Sequence, residues 1–275
     1  MTIFHMAHSF TLPVVLWMYN VPDFSHYIDI LPYPANLPDY SSNKYCFTAP
    51  DNGFLCKTLV SDISHQVKTP VSNLKMATDT LLEKPMTEEE RTDFIQGIRS
   101  QTDKLDFLFQ ALVKTSRLET GVIQLDCKLC RLFDTMAQAM SGIVYEAEKK
   151  EIAVSVDCKE DLALAHDSKW TAEALFNLLD NAVKYTPAGG NISVLVIQWE
   201  MYVEIKVADT GKGISESNQA AIFRRFYREE EVHDQQGVGI GLYLAREIVT
   251  RQGGYIKVVS EPGQGSEFSI MLPVK

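Results

Sequence analysis

Apolar residues recur through residues 54–84 at spacings of three, four or a sum of them. Val60, Ile63, Val67, Val71, Leu74 and Leu81 fall on one seam, the pattern of an amphipathic helix. Pro85 ends it, and Thr87 followed by Glu90 is a capping box that opens a second helix. Along that helix Phe94, Ile98, Gln101, Leu105, Leu108 and Leu112 alternate by four and three until Gly121 stops the run. Two helices joined by so short a turn form a hairpin with one apolar face uncovered. Pairing two copies into a four-helix bundle would cover it, so the seam predicts a homodimer.

From residue 122 the pattern becomes mixed. A strand-like run 122–129 (Ile123, Leu125, Cys127, Leu129) precedes a helix over 131–150 and a strand near 152–157. A helix follows over 168–185, then two β-rich runs, 192–198 and 201–208. A Gly-rich loop, a helix near 239–252 and strands 255–260 and 266–272 complete the chain. The expected fold is therefore an all-α hairpin followed by an α+β sandwich with helices against one mixed sheet.

Residues 1–52 differ from the rest. Six of the eleven prolines lie in the first 50 positions, and residues 1–22 carry no formal charge. A membrane segment or sensor remnant is one reading of 1–22 and an irregular aromatic lead-in the other. Pro13, Asn20, two histidines and the lack of a flanking basic cluster weaken the span. Membrane association is expected only through this segment. The net charge of −10 argues against a nucleic-acid partner, which requires a basic face. Five cysteines (Cys46, Cys56, Cys127, Cys130, Cys158) at low density fit a reduced, cytoplasmic compartment. Cys127 and Cys130 form a single CxxC, half of what a zinc site needs, and read as packing residues.

His65 lies inside the first helix. At about 100° per residue it points away from the apolar seam, and Thr69 lies one turn on, on the same face. Pro70 removes one helical donor and crowds the carbonyl of Gln66, so a bend is expected just after His65. An exposed neutral imidazole is a competent nucleophile near neutral pH.

Four segments in the C-terminal half carry a second chemistry. Asn177, Asn181 and Lys184 recur at i, i+4 and i+7, ahead of Tyr185. The amide oxygen of Asn181 suits Mg²⁺ and Lys184 suits phosphate. Asp209-Thr-Gly211-Lys-Gly213 follows a strand, and a carboxylate there can accept from the 6-amino group of adenine. Phe223-Arg-Arg225-Phe-Tyr-Arg228 reads as a mobile loop whose cations reach phosphates. Gly237-Val-Gly239-Ile-Gly241-Leu242 opens a helix whose free N–H groups favour anions. Each segment alone is a weak signal; their order is specific.

Ser64-His65-Gln66-Val67-Lys68-Thr69-Pro70 resembles the H-box of two-component sensor histidine kinases. The four later segments resemble the N, G1, F and G2 boxes of the ATP-binding fold that those kinases share with gyrase-type ATPases, and Gly263-Gln-Gly265 matches the late Gly-rich turn. The resemblance covers about residues 54–275. It implies a dimerisation and phosphotransfer domain over 53–121 and a catalytic ATP-binding domain over 122–275. It also implies ATP and Mg²⁺ as cofactors, His65 as phospho-acceptor, and a response-regulator receiver domain as partner. Thr69 would orient water for dephosphorylating that partner. Gln66 stands where the family usually has an acidic residue, whose charge would stabilise the imidazolium. Two other readings are an ATPase or chaperone of the same nucleotide fold, which would not need His65, and a silent ATP-binding scaffold, which only Gln66 favours.

Overall fold

The computed structural model describes residues 52–229 and 237–274, with side chains from Ile63 onward. The expectations for residues 1–51 and for the side chains of Cys56 and Val60 lie outside that range. The chain divides into two compact units between Gln101 and Thr102.

In the first unit, helix α1 (Asn52–Glu83) is continuous through Pro70, so the proline expected to bend it sits within an unbroken helix. Helix α2 (Glu88–Glu119) begins at the capping box. The Thr87 N–H donates to the Glu90 carboxylate at 2.8 Å, and the Glu90 N–H returns to the Thr87 hydroxyl at 3.2 Å. Ile63, Val67, Val71, Leu74, Leu81, Phe94 and Ile98 are all half-buried, so the seam faces inward as its spacing predicts.

The second unit holds the end of α2 and the mixed sheet. Leu108, Ala111, Thr115 and Leu118 of α2 are buried. Strands β1 (Lys128–Arg131) and β3 (Ala163–His166) form a separate antiparallel pair. The main sheet has five strands in the order β2-β4-β5-β7-β6: β2 (Ala153–Asp157), β4 (Asn191–Gln198), β5 (Tyr202–Asp209), β6 (Tyr255–Glu261) and β7 (Gly265–Pro273). Only β2–β4 is parallel. Helix α5 (Ser168–Tyr185) and helix α7 (Gly241–Arg251) lie against each other and cover one face. That face packs Ile192, Val194, Val207, Ile205, Phe268 and Ile270 into the core.

Three local expectations change. The helix expected over 131–150 is two, α3 (Leu132–Ser141) and α4 (Val144–Lys149), interrupted where the fully buried Ile143 turns inward. Strand β1 begins six residues later than the alternation suggests, and its inward residue is Cys130 rather than Leu129, which is 73% exposed. The short helix α6 (Glu216–Gln219) and a 3₁₀ turn at Ala221–Phe223 lie in the stretch read as loop.

Candidate active site

Helix α5 starts cleanly because the Asp167 side chain accepts from the Trp170 N–H. Its apolar stripe (Ala172, Leu175, Leu178, Leu179, Ala182) is buried, which leaves Asn177, Asn181, Lys184 and Tyr185 half-buried at the edge of a cavity. That cavity has a volume of about 110 Å³ and opens to solvent. The Lys184 ammonium is 2.5 Å from Asp180, which also lines it.

Strand pairing brings Asp209, at the end of β5, opposite Ser266 on β7. Burial pushes the Asp209 carboxyl above its ordinary value, against the pull of backbone N–H groups from Gly211 and Ser266. The Gly211 N–H donates to it at 2.8 Å, so Gly211 supports the carboxylate from outside the cavity lining. Gly213 is required by both conformation and space. Its φ is +71°, and a Cβ there would lie 1.9 Å from the Glu261 carbonyl oxygen.

Lys212 lies over the Tyr185 ring, 5.6 Å from its centroid, and pairs with Glu229. Burial opposes the charge on Glu229. Hydrogen bonds from Lys212 and Asn218 outweigh it and hold the carboxyl below its ordinary value. Arg228 Nη1 donates to the Gly237 carbonyl at 3.1 Å, tying together the two flanks of segment 230–236. Gly237, Gly239, Gly241 and Leu242 complete the wall. At Gly241 a Cβ would lie 2.7 Å from Asn177 Oδ1, so the glycine lets the start of α7 approach α5.

Thus Asn177, Asn181, Lys184, Tyr185, Asp209, Gly213, Arg228, Gly237, Gly239, Gly241 and Leu242 share one cavity. Arg225 is elsewhere. Its guanidinium pairs with Glu119, donates to the Tyr243 hydroxyl at 2.6 Å and stacks on that ring. Phe223 is a core residue rather than part of a mobile loop: it is 7% exposed and packs edge-on against Phe268. Sequence reasoning missed Asp180, Lys212, Glu229, Ser266 and Phe107 in the lining. Lys212 lies inside a motif already recognised. Ser266 required the β5–β7 register.

In the other unit His65 is exposed, Gln66 is half-buried, Thr69 is exposed and Pro70 is buried. The outward orientation read from the helical period holds for His65 and Thr69. Among the described residues no group of three or more His, Cys, Asp or Glu could hold a metal ion. No helix among them is long and apolar enough to cross a membrane.

Two family models match the chain: the His Kinase A (phospho-acceptor) domain over residues 57–121, and the histidine kinase-, DNA gyrase B- and HSP90-like ATPase over 166–275. The chain belongs to the sensor histidine kinases. The alginate biosynthesis sensor protein KinB of Pseudomonas aeruginosa is 33% identical over 77% of this chain and 36% of its own length. Histidine kinase ThkA, solved in complex with response regulator protein TrrA, has a TM-score of 0.68 at 19% identity, over 82% of this chain and 64% of that one. The Acinetobacter baumannii histidine kinase AdeS gives 0.63 at 18% identity, over 77% and 98%. The likeness to these two structures concerns the fold. The chain spans 28% to 58% of the length of the curated relatives it matches.

Proposed function

We propose that this chain binds ATP in the cavity, transfers the γ-phosphoryl group to His65, and passes it to an aspartate on a response-regulator receiver domain. The observation that carries this is the gathering of a half-buried carboxylate, a polar helix face and three cations (Lys184, Lys212 and Arg228) around one cavity. Asp209 accepts from the adenine 6-amino group. Lys184, Arg228 and the N-terminus of α7 face the phosphates, where they offset the charge of the transferring group. The neutral imidazole of His65 attacks the γ-phosphorus. A nitrogen–phosphorus bond forms, the bond to the β–γ bridging oxygen breaks, ADP leaves and the ring proton passes to solvent. Gln66 orients the ring, and Thr69 orients water for the reverse task on the partner.

Asn181 is the residue that would hold Mg²⁺. One amide oxygen suits an ion that takes its other ligands from water and phosphate, and the described residues offer no carboxylate cage. Bound there, it would supply charge neutralisation.

The half-buried hairpin seam supports a homodimer through a four-helix bundle, with 53–121 as the dimerisation and phosphotransfer domain and 122–275 as the catalytic domain. The ThkA–TrrA complex supports the response-regulator partner. The cysteine usage supports a cytoplasmic setting. Incubation with γ-labelled ATP tests the proposal. Wild type acquires acid-labile label, and His65→Ala acquires none while its ATP affinity is unchanged. Label retained by His65→Ala would reject the acceptor, and hydrolysis without label would turn the reading to an ATPase.

A further inference from the structure

Between the two matched regions lie residues 122–165. Helix α4 ends there in a reciprocal turn. The Glu151 N–H donates to the Glu148 carbonyl and the Ile152 N–H to the Ala147 carbonyl, both at 2.9 Å, with Glu151 at φ +56°. This is the Schellman closure, and it fixes the backbone of Lys150. The Gly189 N–H donates to the Lys150 carbonyl at 3.0 Å, a second anchor.

The Lys150 side chain reaches the far end of α5. The last carbonyls of a helix have no partner within it. The Thr186 N–H takes that of Ala182. Lys150 Nζ donates to the carbonyls of Val183 at 2.7 Å, Lys184 at 3.0 Å and Thr186 at 3.3 Å. An ammonium has three donors and no acceptor, and here all three are used. Its charge also complements the negative end of the helix dipole.

What this turn carries gives the contact its consequence. Lys184 and Tyr185 both line the cavity. The Tyr185 carbonyl oxygen lies 2.6 Å from where a Cβ of Gly211 would be, so the turn backs the residue whose N–H holds Asp209. We infer that Lys150 is a positioning residue for the nucleotide: its ammonium clamps the last turn of α5 so that Lys184, Tyr185 and the Asp209–Gly211 shelf keep their places. The inference rests on the cavity being an ATP site, and the experiment separates the two.

Lys150→Met, Lys150→Gln and Lys150→Arg are made in the full chain. Each is checked for cooperative thermal unfolding, then for the Kd of Mg-ATP and for single-turnover autophosphorylation. Three orphaned carbonyls at a helix end should raise the Kd of Lys150→Met by about tenfold or more. The rate at saturating ATP should fall less than the affinity does, because His65 and Gln66 are untouched and Lys184 is the one group facing the transferring phosphoryl that the clamp holds. Lys150→Arg keeps the charge and donors and should stay within about threefold in Kd, with Lys150→Gln between the two. A folded Lys150→Met with wild-type Kd overturns the inference, as does a Lys150→Arg as weak as Lys150→Met. If Lys150→Met does not fold, Lys150→Gln against Lys150→Arg decides by the same criterion. If neither neutral variant folds, the lysine holds the whole domain and the positioning role is rejected. A wild type that binds no ATP would instead overturn the nucleotide reading.

Discussion

The hairpin and the sheet-containing unit treat apolar residues differently. Between Ile63 and Gln101 only Pro70 is buried, and the periodic seam stays half-covered along its length. In the other unit Leu175, Leu178, Ile205, Ile248 and Ile270 are each at most 1% exposed. One unit closes its core with its own chain; the other keeps an ordered apolar stripe that the described residues do not finish. Half-burial repeated at helical spacing marks a surface awaiting a partner, because scattered exposed apolar residues would show no period. That difference is the physical ground for proposing a dimer.

The contrast breaks most visibly by placing a charge on the stripe. Leu74→Asp would bury an unpaired carboxylate in the paired bundle and should raise the dimer dissociation constant by about a hundredfold or more. ATP affinity should not change. Light scattering that still shows a dimer at micromolar concentration would remove the contrast. Leu108, on the same sequence seam, is a poor probe, because its own chain already covers it to 3% exposure.

The opposite experiment spares the hairpin. Asp209→Asn should cost about one to two decades in ATP affinity and remove the preference for ATP over GTP. The same substitution should raise the melting temperature at neutral pH. A carboxyl whose folded pKa is raised contributes stability below its unfolded value, about 3.9, and loses it as pH rises through the folded value. The gain from asparagine should therefore shrink as pH falls toward 4. A gain that does not depend on pH would contradict the burial argument.

A third change sharpens the chemistry of the hairpin alone. Gln66→Glu should speed single-turnover phosphorylation of His65, and Gln66→Ala should slow it, by about tenfold each. A slower Gln66→Glu would show that the site is tuned around the amide. The smallest effect belongs to the sheet-containing unit. Glu151 holds a left-handed conformation at φ +56°, so Glu151→Gly should stabilise that unit by about 0.5–1 kcal/mol, read as a rise in melting temperature of about 1–4 °C. A fall would mean that the glutamate side chain makes a compensating contact.

Features set by neighbours in sequence were legible. The capping box at Thr87, helix 168–185, the strands near 192–198 and 201–208, and the outward face of His65 all follow from period and local chemistry. Features set by distant partners were not. Strand β3 is four residues with two alanines, and only its pairing with β1 makes it a strand. Arg225 lies in a segment that reads as phosphate-binding, but its partner Glu119 is 106 positions away. Lys150 gave no signal at all, since the carbonyls it satisfies are 33 to 36 positions downstream.

The main sheet is open, with β2 and β6 at its edges. An open edge offers unpaired backbone groups to any other strand, so proteins guard edges against polymerisation. Here β2 is five residues long and ends in the exposed Asp157. Strand β6 exposes Lys257 and Glu261, and the Ser260 carbonyl already accepts from Gln219 at 2.8 Å. Extending the sheet from one copy to the next would desolvate these charges. Self-association through these two strand edges is thereby discouraged, even in a crowded cell in which many such chains meet.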